Sequence, residues 1–204
     1  MSCIKEKIDD KFFTYIKTRD TCKSCPLRGK PVVVVDALYD KGKQCDILFV
    51  GINPGKEEAK KNKPFIGPSG QILRDTIRKV NIERGVNPRI AFTNSILCST
   101  NNEKEIPNVD VCLQNCYYLV SKLVKYLNPR VIVPVGKSCA ENFRISVTSI
   151  FEVTGKAFND ELPRIGEVKI VPIFHPAMLL YQGNDRNREK FIWSIRKVYE
   201  HAGL

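Results

Sequence analysis

Short apolar runs alternate along the chain with longer amphipathic stretches. Four runs are typical of buried strands because each is short, apolar and bounded by turn residues, and they cover residues 46–50, 89–94, 129–136 and 168–174. Apolar residues at helical spacing predict helices over residues 69–80, from 108 or 110 to 127, over 138–143 and over 186–201. This alternation predicts a three-layer α/β/α sandwich with a central, mostly parallel, four-stranded sheet.

Three further segments show a weaker pattern. Residues 4–19 place apolar side chains at roughly helical spacing, which predicts an N-terminal helix. Residues 31–35 fit a short strand, and residues 150–159 fit an irregular hairpin that turns at Gly155. Ser69 stands at the start of the first long helical pattern and is expected to cap that helix with its hydroxyl.

Residues 51–70 join a predicted strand to a predicted helix and read GINPGKEEAKKNKPFIGPSG. In open parallel sheets, ligands bind at the carboxyl ends of the strands, which is where this stretch begins. Its glycines allow close backbone approach, its prolines stiffen the chain, and Phe65 offers an aromatic surface. We interpret the stretch as part of a shaped pocket, the alternative being a solvated, lysine-rich surface loop.

The composition narrows the class of protein. A length of 204 residues with 43% hydrophobic content predicts one globular domain, spanning residues 1–204. The formal net charge of +11 favours a polyanionic partner, above all nucleic acid, although a generic basic surface gives the same sum. The sequence shows no signal peptide and no run as long as a membrane span, so we expect an intracellular protein without a membrane partner.

Eight cysteines in a chain expected to be intracellular favour a metal or cluster site over disulfides. Four of them can form one site, two from a loop, one after the second strand and one from the next helix: Cys22, Cys25, Cys98 and Cys116. Cys112 competes with Cys116 because the two lie one helical turn apart. Four thiolates suit an iron–sulfur cluster or structural zinc, and spacing does not separate the two. Cys45 and Cys139 fit small core residues.

His175 ends the fourth predicted strand, at the same sheet edge as residues 51–70. If it faces one cleft with Asn53, the pair supplies a ring N–H and an amide that can hold a planar polar ligand or position a water molecule. The alternative is a strand-end histidine packed in the core. His201 lies near the C-terminus and is expected to be exposed. No carboxylate pair or Ser-His-Asp set stands out.

Six motifs follow one another along nearly the whole chain. They are Cys22-x-x-Cys25; Gly51-x-x-Pro54-Gly55-x-x-Glu58; Pro64-Phe65-Ile66-Gly67-x-Ser69-Gly70; Thr93-Asn94 ahead of Cys98; Cys116 followed by Pro129-Arg130-Val131; and His175-Pro176-Ala177-x-Leu179-Leu180. Together they resemble the uracil-DNA glycosylase superfamily, particularly its iron–sulfur branch, family 4. The resemblance implies a DNA repair enzyme that flips a deaminated base, above all uracil, out of DNA and hydrolyses its N-glycosidic bond. It also implies a [4Fe–4S] cluster rather than zinc, with Cys116 rather than Cys112 as ligand.

The resemblance implies a role for each matched residue. Asn53 places the attacking water, and His175 stabilises charge at O2 of the base. Phe65 stacks on the extruded base, and Asn94 reads the edge of uracil. Residues implied to contact the base or a phosphate are Gly51, Gly55 and Ser69. Residues implied to form a wedge that enters the DNA are Met178, Leu179 and Leu180. The partner is DNA that contains uracil or another deaminated base, bound by a monomer.

The match departs from the iron–sulfur branch at three places. That branch usually reads Gly-Glu-Ala-Pro-Gly, whereas residues 51–55 read Gly-Ile-Asn-Pro-Gly, as in the mismatch-specific uracil/thymine glycosylases. Basic residues common beside the third cysteine are replaced by Leu97 and Ser99, and a common arginine is replaced by Tyr181. These changes leave uracil, hypoxanthine and thymine opposite guanine open as substrates.

Two other functions compete with this interpretation. One is a catalytically altered iron–sulfur nucleic-acid-binding protein of the same fold, and the other is a zinc protein with a small-molecule pocket. The enzyme is favoured because Asn53, Phe65, Asn94 and His175 occur together, and a mere binder would not need both a water-positioning and an anion-stabilising group. Cations that could contact phosphates are Lys56, Lys60, Lys61, Lys63, Arg186, Arg188 and Lys190.

Overall fold

The computed structural model describes residues 20–38, 44–101, 103–180 and 185–204. Its helices are α1 (Asp20–Lys23), α2 (Lys56–Lys61), α3 (Pro68–Arg84), α4 (Val109–Leu127), α5 (Lys137–Asn142), α6 (Ile150–Val153) and α7 (Asp185–Ala202). Its strands are β1 (Val35–Ala37), β2 (Ile47–Gly51), β3 (Ile90–Asn94), β4 (Val131–Pro134), β5 (Phe158–Leu162) and β6 (Gly166–Ile170). Short 3₁₀ turns cover Glu103–Glu105 and Pro176–Leu179. The helix predicted over residues 4–19 lies outside the described residues.

Within the described residues the sheet has six strands, in the order β1-β3-β2-β4-β6-β5. The central strands β3, β2, β4 and β6 are parallel, whereas β1 and β5 pair with their neighbours in the antiparallel sense. The prediction of an α/β fold with a mostly parallel sheet is confirmed, but the predicted count of four strands is wrong. The predicted sheet left out both edge strands, because β1 has only three residues and β5 alternates half-buried with exposed positions, so neither is an apolar run.

Side chains along β2 enter two separate cores. Leu48 and Val50 pack in the core that α4 covers, whereas Ile47 and Phe49 pack in the core that α3 and α7 cover. A strand buried on both faces needs apolar residues at every position, which accounts for the continuous apolar run. The sheet therefore forms the middle layer of the predicted α/β/α sandwich.

The hairpin predicted over residues 150–159 is wrong. Its first residues form α6, and the observed hairpin joins β5 to β6 through a turn in which Arg164 has a φ of 63°. Gly155 also has a positive φ, of 77°, but it serves a helix contact. A Cβ at this position would lie 2.8 Å from Cζ3 of Trp193 on α7, so the glycine allows the helix to approach closely.

The start of α3 also differs from the prediction. The helix begins at Pro68 after Gly67, and no side chain caps it, so Ser69 is not the cap. Proline at the first helical position needs no N–H partner and has a suitable φ, which favours this start. Residues 56–61, predicted as part of one long loop, form the short helix α2.

Two further segments are displaced from their predicted states. Val32 forms only an isolated bridge, and β1 begins at Val35, so the strand predicted over residues 31–35 is shifted toward the C-terminus. His201 is half-buried, with its Nε2 atom 3.3 Å from the Gly155 carbonyl oxygen, rather than exposed. None of the helices in the described ranges is long and apolar enough to cross a membrane.

Candidate active site

A cavity of about 430 Å³ opens at the carboxyl edge of the sheet. The ends of β2 and β3, the segment that follows β2, and the residue before the second 3₁₀ turn contribute to its lining. All seven residues predicted to act on the base or the attacking water line it: Gly51, Asn53, Gly55, Phe65, Ser69, Asn94 and His175. Residues up to 124 positions apart in the sequence, from Gly51 to His175, therefore meet at one cavity. They do so at the carboxyl ends of the strands, where ligands bind in open parallel sheets.

The register of β2 and β3 sets the floor of the cavity. Gly51 pairs with Asn94, so the two parallel strands end level with each other. A Cβ on Gly51 would lie 2.5 Å from the Asn94 Oδ1 atom and 3.0 Å from Cζ of Phe65. A side chain at position 51 would therefore displace both groups, and glycine keeps the cavity open.

Phe65 forms an aromatic wall of the cavity from an unusual backbone conformation. Its φ is 54°, in the left-handed region that bulky residues avoid, at an expected cost of about 1–3 kcal/mol. Its ring centre lies 5.7 Å from that of Phe92 on β3, and the residue is buried. Backbone strain of this kind is concentrated at functional sites, where the surrounding structure holds it.

Asn94 ends β3 with a buried amide. The residue is 3% exposed, and its Nδ2 atom has no hydrogen-bond partner within the described part of the chain. A buried N–H group left without a partner is unfavourable, so native structures usually satisfy it. Because Asn94 also lines the cavity, a ligand that offers a carbonyl oxygen there would satisfy this donor.

His175 has a defined tautomer when its ring is neutral. Its Nδ1 atom accepts a hydrogen bond from the backbone N–H of Ala177, at 3.2 Å. The ring proton must then reside on Nε2, which becomes the donor. Gly136, with a φ of 98°, allows the ring to lie against the end of β4, since a Cβ there would be 3.3 Å from the His175 Cβ atom.

Asn53 presents a hydrogen-bond acceptor at the cavity lining, whereas Asn94 and His175 present donors. Its Nδ2 atom donates to the Thr100 hydroxyl at 2.7 Å and to the Pro54 carbonyl at 3.2 Å. These contacts fix the amide so that Oδ1 is the group able to accept a proton from water. The cavity lining thus combines a fixed acceptor, an N–H on an imidazole, an amide donor and an aromatic ring.

Glu58 has a role that sequence reasoning missed. Its Oε1 atom accepts hydrogen bonds from the backbone N–H groups of Ile66 and Gly67, at 2.9 and 2.7 Å. Gly55 leaves room for this carboxylate, because a Cβ there would lie 2.9 Å from Oε2. Glu58 therefore joins the two halves of the segment between β2 and α3. Its motif position was visible in the sequence, but neither periodicity nor spacing indicates which backbone groups it binds.

The predicted wedge divides into exposed and buried parts. Met178 is 37% exposed and Leu180 is 50% exposed, while Leu179 between them is 3% exposed and packs in the core under α3 and α7. Leu179 thus anchors the 3₁₀ turn, and the other two side chains face solvent.

Backbone pairing brings the four predicted cysteine ligands toward one another. Val32, seven residues after Cys25, forms an antiparallel bridge with Cys98. Two flanking hydrogen bonds extend this pairing, from Val33 N to Leu97 O and from Ser99 N to Pro31 O, both at 2.9 Å. Cys116 and Cys112 lie on the buried face of α4 and belong to the same core as these segments.

The thiols affect one another electrostatically. Burial, with smaller effects of Cys116, Cys25, Cys22 and Cys112, raises the pKa of Cys98 to about 12. Burial also raises the pKa of Cys116 to about 12 and that of Cys112 to about 11, each with a contribution from Cys25. Five thiols therefore share one region. Across the described ranges, no three His, Cys, Asp or Glu side chains are close enough to hold a single metal ion.

The thiols near Cys98 fit an iron–sulfur cluster better than a single metal ion, because each cysteine of a cluster binds its own iron atom and the sulfur atoms can lie further apart. Cys45 and Cys139 are not among the thiols that raise the pKa of Cys98, and each has a partner in the core. Cys139 donates to the Val50 carbonyl at 3.0 Å, and Cys45 donates to the Ile47 carbonyl at 3.2 Å. Both residues are fully buried, as predicted for core cysteines.

Comparisons with known proteins agree on one family. The sequence matches the family described as "Uracil DNA glycosylase superfamily" over residues 39–200. A protein of Archaeoglobus fulgidus named "Type-4 uracil-DNA glycosylase" is 27% identical over 97% of this chain and 94% of its own length. Proteins of the same name are 28% identical in Thermotoga maritima, over 87% of each chain, and 29% identical in Sulfurisphaera tokodaii, over 81% of this chain and 74% of that one. The chain therefore belongs to the uracil-DNA glycosylase superfamily.

Proposed function

We propose that the protein is a monofunctional uracil-DNA glycosylase, which removes uracil from DNA inside the cell as a monomer and leaves an abasic site. The relatives named above support this activity, because they align with 81–97% of the chain and share one name. The observation that carries the proposal is the buried Asn94 amide nitrogen, which has no partner among the residues that the structure describes and lies at a cavity walled by Phe65. An amide presents a donor beside an acceptor, which is complementary to O4 and N3–H of uracil.

Base recognition begins with extrusion of the nucleotide. A base stacked in a duplex cannot reach a cavity, so it must be flipped, at a cost of a few kcal/mol that is smallest at a mispair. Stacking on Phe65 would return about 1–3 kcal/mol. Met178 and Leu180 are the exposed residues that can enter the space left in the stack. Their position on a turn anchored by the buried Leu179 suits a wedge.

Cleavage of the N-glycosidic bond places negative charge on the leaving base and positive charge on the sugar. The Nε2–H group of His175 is suited to donate to O2 as charge develops, and a neutral ring suffices for this. Asn53 Oδ1 is suited to accept from a water molecule and orient it toward C1′. The proton lost by the water passes to solvent, so no strong base is required.

The first experiment measures base release under single-turnover conditions from labelled oligonucleotides that contain uracil, hypoxanthine or thymine opposite guanine. We expect uracil release by the wild type and losses of about 10²–10³-fold in His175→Ala, the range for one lost oxyanion donor. Asn53→Ala should also slow release. His201→Ala is the matched control, since this histidine contacts Gly155 away from the cavity. No release from any of the three substrates would favour the binding protein instead.

A second substrate separates the two catalytic roles. 5-Fluorouracil leaves as a more stable anion, so its departure depends less on a hydrogen bond at O2. The loss caused by His175→Ala should therefore be smaller for 5-fluorouracil than for uracil, whereas the loss caused by Asn53→Ala should be similar for both. Equal losses for His175→Ala with the two bases would contradict the role assigned to this residue.

The finer proposal for the cysteines is a [4Fe–4S] cluster held by Cys22, Cys25, Cys98 and Cys116. When bound, the cluster would cross-link α1, the segment after β3 and α4. The donor set and the pairing of Val32 with Cys98 support this proposal. Both thiols on α4 have partners. The Cys112 sulfur donates to the Pro107 carbonyl at 3.2 Å and also hydrogen-bonds Cys25, while Cys116 accepts a backbone hydrogen bond from Leu97. The choice of Cys116 over Cys112 therefore rests on the family resemblance.

Three cysteine variants test the ligand set by iron content and visible absorption of anaerobically prepared protein. Cys116→Ala should lose iron and brown colour, whereas Cys112→Ala should retain both. Cys139→Ala is the control for loss of a buried thiol in the core. Retention of iron in Cys116→Ala with loss in Cys112→Ala would exchange the two assignments, and a colourless wild type would refute the cluster.

A further inference from the structure

Arg74 on α3 holds the backbone that carries the aromatic wall. Its Nε atom donates to the Phe65 carbonyl at 2.8 Å, and a terminal nitrogen donates to the Pro64 carbonyl at 2.9 Å. The same nitrogen donates to Asp36 Oδ2 at 2.6 Å. The side chains of Arg74 and Asp36 are only 15% and 12% exposed. The planar guanidinium reaches two carbonyls and a carboxylate from two separate nitrogens held in one rigid plane, whereas a lysine ammonium presents all its donors from a single atom.

The sheet fixes the position of this guanidinium. Asp36 lies on β1 opposite Phe92 on β3, so the carboxylate is held by strand pairing. The Arg74 guanidinium carbon lies 4.1 Å from the centre of the Phe92 ring, which adds a cation–π contact. Phe92 in turn packs against the Phe65 ring. Arg74 thus connects the edge strand β1 with the wall of the cavity.

Phe65 needs such support because its backbone conformation is unfavourable on its own. Its φ of 54° is in the left-handed region. Gly70 also packs directly against this backbone, since a Cβ on Gly70 would lie 2.2 Å from the Phe65 carbonyl carbon. Helix α3 therefore supplies two contacts to the Phe65 backbone, one through Gly70 and one through Arg74.

We propose that Arg74, fixed by Asp36, is a positioning residue that holds the Phe65 ring at the geometry for stacking on an extruded base. This inference rests on the proposed glycosylase function for its catalytic readout. Neither Arg74 nor Asp36 lines the cavity, so their effect on base release must pass through Phe65. Small misplacements of a positioning group can reduce rates by about a hundredfold.

A double-mutant cycle tests whether Arg74 acts through Phe65. Arg74→Met keeps the length of the side chain and should slow uracil release by about 10- to 100-fold. In the Phe65→Ala background, the same change should add less than about twofold, because its target is gone. Losses that multiply in the double variant would overturn the proposal. Arg78→Met is the matched control, since Arg78 lies one helical turn further on α3 and pairs with Asp75 in solvent.

Structures of the variants give a readout that does not depend on turnover. In Arg74→Met, the Phe65 φ should leave the left-handed region or the ring should shift, and an unchanged Phe65 would overturn the proposal. Asp36→Asn keeps an acceptor and serves if Arg74→Met fails to fold. It should show a smaller shift and a smaller rate loss, again suppressed by Phe65→Ala. If the wild type releases no base but Phe65 moves in Arg74→Met, the glycosylase proposal fails and the positioning role stands.

Discussion

At the scale of single residues, Asn94 is better suited to binding than to folding. Its amide nitrogen is buried and lacks a partner within the described residues. An unsatisfied buried donor destabilises a fold by about 1–3 kcal/mol, and a bound base with a carbonyl oxygen would remove this penalty. Thr93, its neighbour on β3, differs, because its hydroxyl is also buried but donates to the Val34 carbonyl at 2.6 Å.

This contrast predicts opposite outcomes for two adjacent substitutions. Asn94→Ala should slow uracil release at least about tenfold, the equivalent of one hydrogen bond. It should leave the free energy of unfolding unchanged or raise it by up to about 3 kcal/mol, because the unsatisfied donor is gone. Thr93→Val should retain activity but lose about 1–3 kcal/mol of stability, because it leaves a buried carbonyl unpaired. Single-turnover kinetics and urea unfolding measure both quantities. A loss of stability in Asn94→Ala as large as that in Thr93→Val would show that the Asn94 amide supports the fold.

At the scale of elements, the strand ends were predictable and the segment between them was not. The apolar runs of β2 and β3 suffice to predict that Gly51 and Asn94 meet at one sheet edge, as they do. Helix α2 gave no signal, because it buries none of its residues and so has no apolar periodicity. The conformation of Phe65 depends on Arg74 and Gly70, which act through backbone contacts that a pattern of side chains does not encode.

The amino ends of the central strands are joined by an ion-pair network around one buried carboxylate. Asp46, just before β2, is 4% exposed and accepts hydrogen bonds from Arg89 just before β3, at 2.6 to 2.9 Å. Arg130, just before β4, lies 3.3 Å away. Burial raises the pKa of Asp46, but hydrogen bonds from Arg89 and the charges of Arg89 and Arg130 outweigh it, so the pKa lies below its ordinary value.

This network makes stability depend on pH in a defined direction. The folded pKa of Asp46 lies below its unfolded value of about 3.9. Between these two pKa values the unfolded chain binds more protons than the folded chain, so stability is lost as the pH falls from about 4 toward the folded pKa. Asp46→Asn should lower the free energy of unfolding at neutral pH by about 1–3 kcal/mol. The difference from wild type should shrink below about pH 4. Urea unfolding across this range measures it. Asp75→Asn, from an exposed pair with Arg78, is the control, and a constant difference at every pH would contradict the assignment.

At the scale of the whole molecule, the two edges of the sheet have different tasks. The amino edge carries the Asp46 network, which stabilises the fold, and the carboxyl edge carries the cavity and the exposed Met178 and Leu180. Two of the cations predicted to bind phosphates already have partners within the protein. Lys60 pairs with Glu57 at 2.8 Å, and Lys190 donates to the Phe151 carbonyl at 3.1 Å.

The net charge of +11 leads to a test of where DNA binds. Lys61 and Lys63 are exposed on the segment that lines the cavity, whereas Lys79 and Lys125 lie toward the far ends of α3 and α4. Replacing either pair with glutamine removes two positive charges, so the net charge of the protein falls by the same amount in both double variants. Each phosphate contact contributes about 0.9 to the slope of log Kd against log salt concentration, so Lys61→Gln/Lys63→Gln should lower that slope by up to about 2. Lys79→Gln/Lys125→Gln should leave it nearly unchanged. Titrations of uracil-containing duplex measure the slopes, with each pair combined with Asn53→Ala, in which base release is expected to be slowed. Equal decreases would mean that charge attracts DNA without a defined path across the carboxyl edge.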